Sequence, residues 1–206
     1  MMPLPAEALA RGATPGWVGY IGVADVDAMA DRIAKAGGAV HVPPGDIPGV
    51  GRMAMVSDPQ GAPFYVMRGA SEGASHAFAA GKPGHCGWHE LHSRDWEEAL
   101  RFYAPLFGWR KGDAVDMGAM GTYQLFRPAR AEGDAVGAMF NDPGSPAPHW
   151  LFYFQVDDID AAAARIAAQG GKVVLGPHEV PGGAWILNAR DPQGALFALL
   201  GPRRAA

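Results

Sequence analysis

Cysteine is almost absent. Cys86 is the single one in 206 residues, so no intrachain disulfide framework can form, and a reducing, cytoplasmic setting is expected. Basic residues are also scarce, with 17 Lys and Arg against 21 Asp and Glu for a net charge of −4. No Lys/Arg cluster offsets that balance, which argues against a nucleic-acid partner. Long apolar runs are missing too. The stretches LFYF at 151–154 and ALFALL at 195–200 fall far short of the roughly 20 residues a membrane helix needs, so no membrane partner is expected. The opening MMPLPAEALARG lacks the apolar core of a secretory signal. No phosphate-binding loop or G-x-S-x-G elbow is visible. The segment GVGRMA at 49–54 mimics a dinucleotide fingerprint but precedes a strand instead of opening a helix.

Glycine and proline are plentiful, 29 and 18, which points to many short strands joined by tight turns. The tetrapeptide DPQG occurs twice, at 58–61 and 191–194, an offset of 133. Sliding the chain by that offset matches 23 of the 54 positions from Pro15 to Arg68 without a gap, the first being Pro15 on Pro148 and the last Phe64 on Phe197. The chain therefore contains duplicated structural units. In each copy a strand rich in aromatic and β-branched residues (17–23 and 150–156) leads to an Asp placed as a helix N-cap, Asp25 and Asp158. The helix (27–35 and 160–168) stops at a Gly pair, since Gly accepts the left-handed conformation past a helix end. A short strand, a Pro/Gly loop and a further strand (52–56 and 185–189) follow. DPQG has the residue order of a type I turn and leads into the last strand (64–67 and 197–200). Each unit reads β-α-β-β-β.

A more diverged unit lies between them. Its first strand is 87–92, Asp95 caps a helix over 96–108, and later strands are expected at 121–126 and 135–140. Ala99, Phe102, Tyr103 and Leu106 share one helical face, and Pro105 is expected to bend or end the helix early. The Gly/Ala/Ser-rich segment 69–84 reads as a linker. The fold class is thus α+β, built from tandem βαβββ modules.

The stretches "D…A…RFY…LFGW" in the middle unit and "VDDID…GGKV…DPQG" in the last resemble the vicinal oxygen chelate superfamily, which includes glyoxalase I, extradiol dioxygenases and bleomycin-resistance proteins. The resemblance covers nearly all of 15–201. It implies an N-terminal extension (1–14), a single module at 15–68 that is half of a domain, the linker 69–84, and one complete domain at 85–201 made of modules 85–140 and 148–201. The residues before Pro15 resemble those before Pro148, so the chain is expected to begin inside the last strand of a further unit. A lone module exposes a sheet edge and a concave face, so either a homodimer through 15–68 or a longer natural protein with a mis-set start is expected.

The resemblance also places the superfamily's metal ligands, at Trp88 and Leu151 on the first strands and at Ala198 and roughly Met139 on the last. None is His, Glu or Gln, so no metal and no cofactor are expected. His89 and His92 are three apart on a strand and point to opposite faces. His85, Cys86 and His89 form a weak alternative metal trio in the entry loop. Strand parity puts Trp88, Glu90 and His92 on one cavity wall, with Tyr153, Gln155, Ile186 and Asn188 on the other. Such a cavity is apolar with a few converging polar groups, as small-molecule sites are. Glu90, beside Trp88, is the candidate general base, its pKa expected to be raised by apolar surroundings, with His92 orienting it or carrying its proton. The plain alternative is that Glu90 pairs with an arginine and His92 ends the strand. His178 and Glu179 are read as loop residues that could gate the site.

These residues favour a protein that binds a small hydrophobic or aromatic metabolite without metal. A lyase, isomerase or hydrolase using Glu90, a metal-dependent glyoxalase or dioxygenase with displaced ligands, and an assembly role with a vestigial cavity are the alternatives.

Overall fold

The computed structural model describes residues 3–4, 6–10, 12–71, 73, 75–128 and 134–204. The remaining positions of the N-terminal extension and of the linker lie outside that range. The chain divides into two compact units. Unit 1 comprises Met1–Trp17, Ala77–Gly87 and Leu151–Ala206, and unit 2 comprises Val18–His76 and Trp88–Trp150. A short helix, α1 (Ala6–Ala10), belongs to unit 1.

Unit 2 holds two modules. The first runs β1 (Tyr20–Gly22), α2 (Val26–Lys35), β2 (Ala39–Ile47), β3 (Gly51–Ser57) and β4 (Pro63–Gly69), with sheet order β1-β4-β3-β2 and β1 parallel to β4. The second runs β5 (Cys86–Ser93), α3 (Trp96–Phe107), β6 (Arg110–Asp116), β7 (Thr122–Arg127) and β8 (Gly137–Asn141), ordered β5-β8-β7-β6 with β5 parallel to β8. Unit 1 repeats the plan with β9 (His149–Gln155), α4 (Ile159–Ala168), β10 (Lys172–Glu179), β11 (Trp185–Arg190) and β12 (Leu196–Gly201), ordered β9-β12-β11-β10. The α+β class and the βαβββ module stand in all three copies.

The capping expectations hold. The carboxylates of Asp25, Asp95 and Asp158 accept the first free amides of α2, α3 and α4. The Gly pairs divide their work. Gly37 and Gly170 take positive φ. A Cβ on Gly38 or Gly171 would lie 2.5 Å from the Ser57 carbonyl oxygen or 2.8 Å from that of Arg190. The second glycine is therefore needed where the helix end meets its own sheet.

Several elements differ from expectation. β1 is shorter than 17–23. β2 and β10 run through their Pro/Gly segments by register shifts, so His178 and Glu179, expected in a loop, are strand residues paired with Ile186 and Trp185. β6 was not expected: its sequence, RKGDAVD, is largely exposed and lacks apolar alternation. Helix α3 continues past Pro105 to Phe107 and closes on Gly108 at φ 69°. Proline removes only one interior hydrogen bond there, two residues from the end. The predicted α3 face is the buried one: Ala99, Phe102, Tyr103 and Leu106.

The module at 15–68 does not stand alone. It shares unit 2 with the middle module. The contacts are specific. Arg32 Nη2 donates to the Pro105 carbonyl at 2.9 Å. Gln60 Oε1 accepts from the amides of Arg94 (2.7 Å) and Asp95 (2.9 Å), and its Nε2 donates to the Asp95 carbonyl at 2.7 Å. The first DPQG turn thus docks on the N-terminus of α3. The second makes the same local turn through Asp191, but the exposed Gln193 side chain has no such role among the described contacts. Gln60→Ala is expected to cost about 1–2 kcal/mol and Gln193→Ala to stay within about 0.5 kcal/mol. Urea denaturation checks this; equal effects would refute the assignment.

Aromatic rings fill the centre of unit 2. Tyr103 stacks on Trp109 at 5.1 Å, Trp109 on Phe126 at 4.5 Å, and Phe64 and Trp150 pack against Tyr103 at 5.5 and 5.4 Å. In unit 1, Leu187, Ala189 and Leu199 pack with Ile159 and Ala162 of α4, joined by Phe154 and Val156. The sheet side that faces the helix is thus the one opposite the expected cavity residues Tyr153 and Gln155.

Candidate functional site

In unit 2 the ladders β5-β8 and β8-β7 pair Glu90 with Ala138, His92 with Phe140, and Leu125 with Ala138. Side chains paired in this way share a face, so Trp88, Glu90, His92, Ala138, Phe140, Tyr123 and Leu125 lie on the side away from α3. Leu91, Met139, Gln124 and Phe126 take the other side and are buried.

On the first face the polar groups form a continuous chain. Trp88 Nε1 donates to Tyr123 Oη at 2.8 Å, and Tyr123 Oη donates to Glu90 Oε2 at 2.7 Å. His92 Nε2 lies 2.9 Å from Glu90 Oε1, and its Nδ1 lies 2.8 Å from Asp142 Oδ2. Glu90 is 8% exposed. Burial alone would lower the His92 pKa, but the Glu90 and Asp142 carboxylates outweigh it and the net shift is upward. With both ring nitrogens facing carboxylates, the imidazolium is the form that satisfies the site. Burial raises the Asp142 pKa, but hydrogen bonding to His92 and to the amides of Gly144 and Ser145 turns the shift downward. Arg94 fixes this loop through the carbonyls of Ser145 and Pro146, at 2.8 and 2.9 Å. His149 stacks on His92 at 4.4 Å and 17°. Burial lowers the His149 pKa, and its Nε2 is buried without a hydrogen-bond partner.

The predicted trio Trp88, Glu90 and His92 is therefore brought together, and Glu90 is held by a tyrosine and a histidine. Tyr123, Asp142 and His149 were missed. The alternation in β7 sets Tyr123 in line with Leu125 and was the available signal for the tyrosine. Asp142 and His149 sit at strand ends, where no periodicity marks them.

The other four predicted residues lie in unit 1. Ladder rows place Tyr153, Ala198 and Asn188 together, and Gln155, Leu200 and Ile186 together, so they share a face as expected. Tyr153 is 4% exposed. Gln155 is engaged elsewhere: its side chain fills the space over Gly87. With the amide oriented to satisfy both ends, Nε2 donates to the Leu200 carbonyl (3.3 Å) and Oε1 accepts from the Gly81 amide (3.1 Å). Asn188 Oδ1 is buried without a partner.

The sequence profile of the Glyoxalase/Bleomycin resistance protein/Dioxygenase superfamily matches residues 6–66 and 82–199. The chain belongs to this superfamily. Among curated relatives, proteins named "Putative glyoxylase CFP32" in Mycobacterium bovis and Mycobacterium tuberculosis are 36% identical over 97% of this chain and 74% of theirs. "Anthracycline biosynthesis protein DauV" of a Streptomyces species is 35% identical over 92% of this chain and 66% of its own. Among solved structures, the Mn(II)-bound glyoxalase from Novosphingobium aromaticivorans superposes with TM-score 0.60 at 19% identity, covering 90% of this chain and 63% of that one. The 2,2',3-trihydroxybiphenyl 1,2-dioxygenase from Sphingomonas wittichii superposes with TM-score 0.62 at 14% identity, covering 91% and 71%. The two superpositions show a shared fold.

A divalent metal, as in that Mn(II)-bound member, does not fit the residues this superfamily member carries at the expected positions. Trp88 donates its indole N–H to Tyr123, Leu151 and Ala198 are apolar, and Met139 lies on the buried face with Leu91. The Met139 assignment is corrected by that parity: the β8 residues on the Glu90 face are Ala138 and Phe140, neither a ligand. Among the described residues no three His, Cys, Asp or Glu side chains group as a metal site, including His85, Cys86 and His89. No described helix is long and apolar enough to cross a membrane.

Proposed function

We propose that this superfamily member binds a small hydrophobic or aromatic metabolite, without metal, against the Trp88–Tyr123–Glu90 face of unit 2. One observation carries the reading: a nearly buried carboxylate, fixed by Tyr123 and His92, sits on a sheet face whose other members are Trp88, Ala138, Phe140 and Leu125. An apolar surface with one oriented acceptor suits a ligand that is mostly ring or hydrocarbon and carries a single donor. The names of the relatives, which include anthracycline biosynthesis proteins at about a third identity, favour an aromatic ligand.

A second reading, a lyase, isomerase or hydrolase with Glu90 as general base, is favoured by the Glu90–His92–Asp142 chain. His92 would accept charge shifts at Glu90 while Asp142 keeps its ring oriented.

Thermal-shift screening with planar aromatic ketones and quinones, together with 2-ketoaldehydes, tests both readings. A ligand at about 100 times its Kd stabilises by about 2.7 kcal/mol. Trp88→Ala is expected to remove the shift. Glu90→Gln is expected to weaken binding modestly in a pure binder, but to lower turnover by roughly 10²–10⁴-fold in an enzyme. A shift unchanged in Trp88→Ala would remove the site from this face.

A further inference from the structure

We propose that Arg94 is a positioning residue for the Glu90 site, acting through the loop 142–148 and His92, and that Gln60 of the first DPQG turn sets Arg94 in place. The proposal rests on the Glu90 face being the functional one. Among the described hydrogen bonds the Arg94 guanidinium serves carbonyls alone: Ser145 at 2.8 Å, Pro146 at 2.9 Å and, more distantly, Asp142 at 3.5 Å. The loop reads DPGSPAP, with proline at 143, 146 and 148, so it has few amides with which to brace itself. A planar fork of donors suits several carbonyls at once. The loop carries the groups that hold His92. Asp142 Oδ1 accepts from the amides of Gly144 (3.1 Å) and Ser145 (3.2 Å), which aims Oδ2 at His92 Nδ1, 2.8 Å away. The loop then leads into His149, whose ring lies over that of His92. His92 in turn faces Glu90 Oε1 at 2.9 Å. A loop released from Arg94 takes Asp142 with it and leaves the imidazole unguided beside Glu90.

The chain contains its own comparison. Aligning the three modules on their helix caps, Asp25, Asp95 and Asp158, sets Glu90 against Tyr20 and Tyr153, His92 against Gly22 and Gln155, and Arg94 against Ala24 and Asp157. The outer copies share tyrosine at the first of these positions. The middle module departs at all three, and it is the one in which a guanidinium holds a loop that holds a histidine.

Upstream of Arg94 stands Gln60. Its Oε1 accepts from the amides of Arg94 (2.7 Å) and Asp95 (2.9 Å), which fixes the backbone from which the Arg94 side chain departs. Contiguous hydrogen bonds thus run from the first DPQG turn to Glu90, the kind of physical network through which one residue can bias another at a distance. The first module shapes a site to which Gln60 itself contributes no contact.

NMR titration of the His92 imidazole nitrogens in the ligand-free full chain tests the proposal, with the signal missing from His92→Leu as the assignment. The titratable groups that face His92 are Glu90 on its own strand, Asp142 after β8 and His149 at the start of β9. Arg94→Ala, at an exposed position, is expected to keep the cooperative melt and to move the His92 midpoint to lower pH, because Asp142 is freed. The sign is decisive. Were Arg94 only a nearby cation, its removal would move the midpoint to higher pH. Arg94→Lys, which keeps the charge but not the fork, should also lower it. Gln60→Ala, which removes no charge, should lower it by less. In an Asp142→Ala background, Arg94→Ala should lower it no further. A midpoint unchanged or raised in Arg94→Ala, or lowered equally without Asp142, overturns the proposal, and no change in Gln60→Ala removes Gln60 from it. The titration needs no ligand, so a thermal-shift screen that finds none would sink the binding reading and leave this one standing.

Discussion

Tyr103→Ala is expected to lower the stability of unit 2 by about 3–5 kcal/mol, the range for truncating a fully buried aromatic. The ring is completely buried and touches Phe64, Phe102, Trp109 and Trp150. Its hydroxyl adds a polar link across the module boundary: Tyr103 Oη donates to Asp58 Oδ2 at 3.2 Å and accepts from Trp150 Nε1 at 3.0 Å. Burial, reinforced by Asp58, keeps the phenol pKa well above its ordinary value, so the neutral donor persists at any working pH. Removing the ring leaves a cavity and also strips a partner from Asp58, which is 2% exposed. Tyr103→Phe isolates the polar part and is expected to cost about 1–2 kcal/mol. Chemical denaturation of the two variants separates the contributions. If Tyr103→Phe were as harmful as Tyr103→Ala, the hydroxyl and not the packing would dominate.

His92→Leu is expected to be nearly as costly, about 3 kcal/mol or more near pH 6, because it leaves Glu90 and Asp142 without the cation between them. The pH dependence carries the stronger test. The folded-state pKa of His92 is raised above the ordinary imidazole value of 6.5. Its contribution is therefore complete below about 6.5 and declines as pH climbs through the higher folded value. The Asp142 pKa is lowered from 3.8, so its share is present above 3.8 and disappears as pH falls through the lower folded value. The stability difference between wild type and His92→Leu should be largest between those two limits and shrink on the alkaline side. His149, whose pKa is lowered by burial, runs the opposite way but is present in both proteins and largely cancels. A difference that stays flat from pH 5 to 9 would show that His92 is held by packing alone.

The modules were legible because local chemistry specifies them. Asp at the cap, a Gly pair at the stop and DPQG at the turn act over a few residues, and each works alike wherever it occurs. β6 was illegible because it is an exposed strand with no buried face to imprint alternation. The grouping of the first module with the middle one was also hidden, since it depends on where Gln60, Asp58 and Arg32 reach across more than thirty residues of chain. At the site, parity sufficed for Trp88, Glu90 and His92, which are spaced by two on one strand. It failed for Asp142 and His149, which arrive from the ends of other strands, and it could not foresee that Gln155 would close over Gly87.

The two DPQG turns also bear on how the duplicated halves can diverge. Gln60 is tied to three backbone groups at the start of α3, whereas Gln193 faces solvent. Identical letters thus carry unequal freedom to drift, and a chimera that transplants either module must supply glutamine at the docked turn while tolerating almost any polar residue at the other.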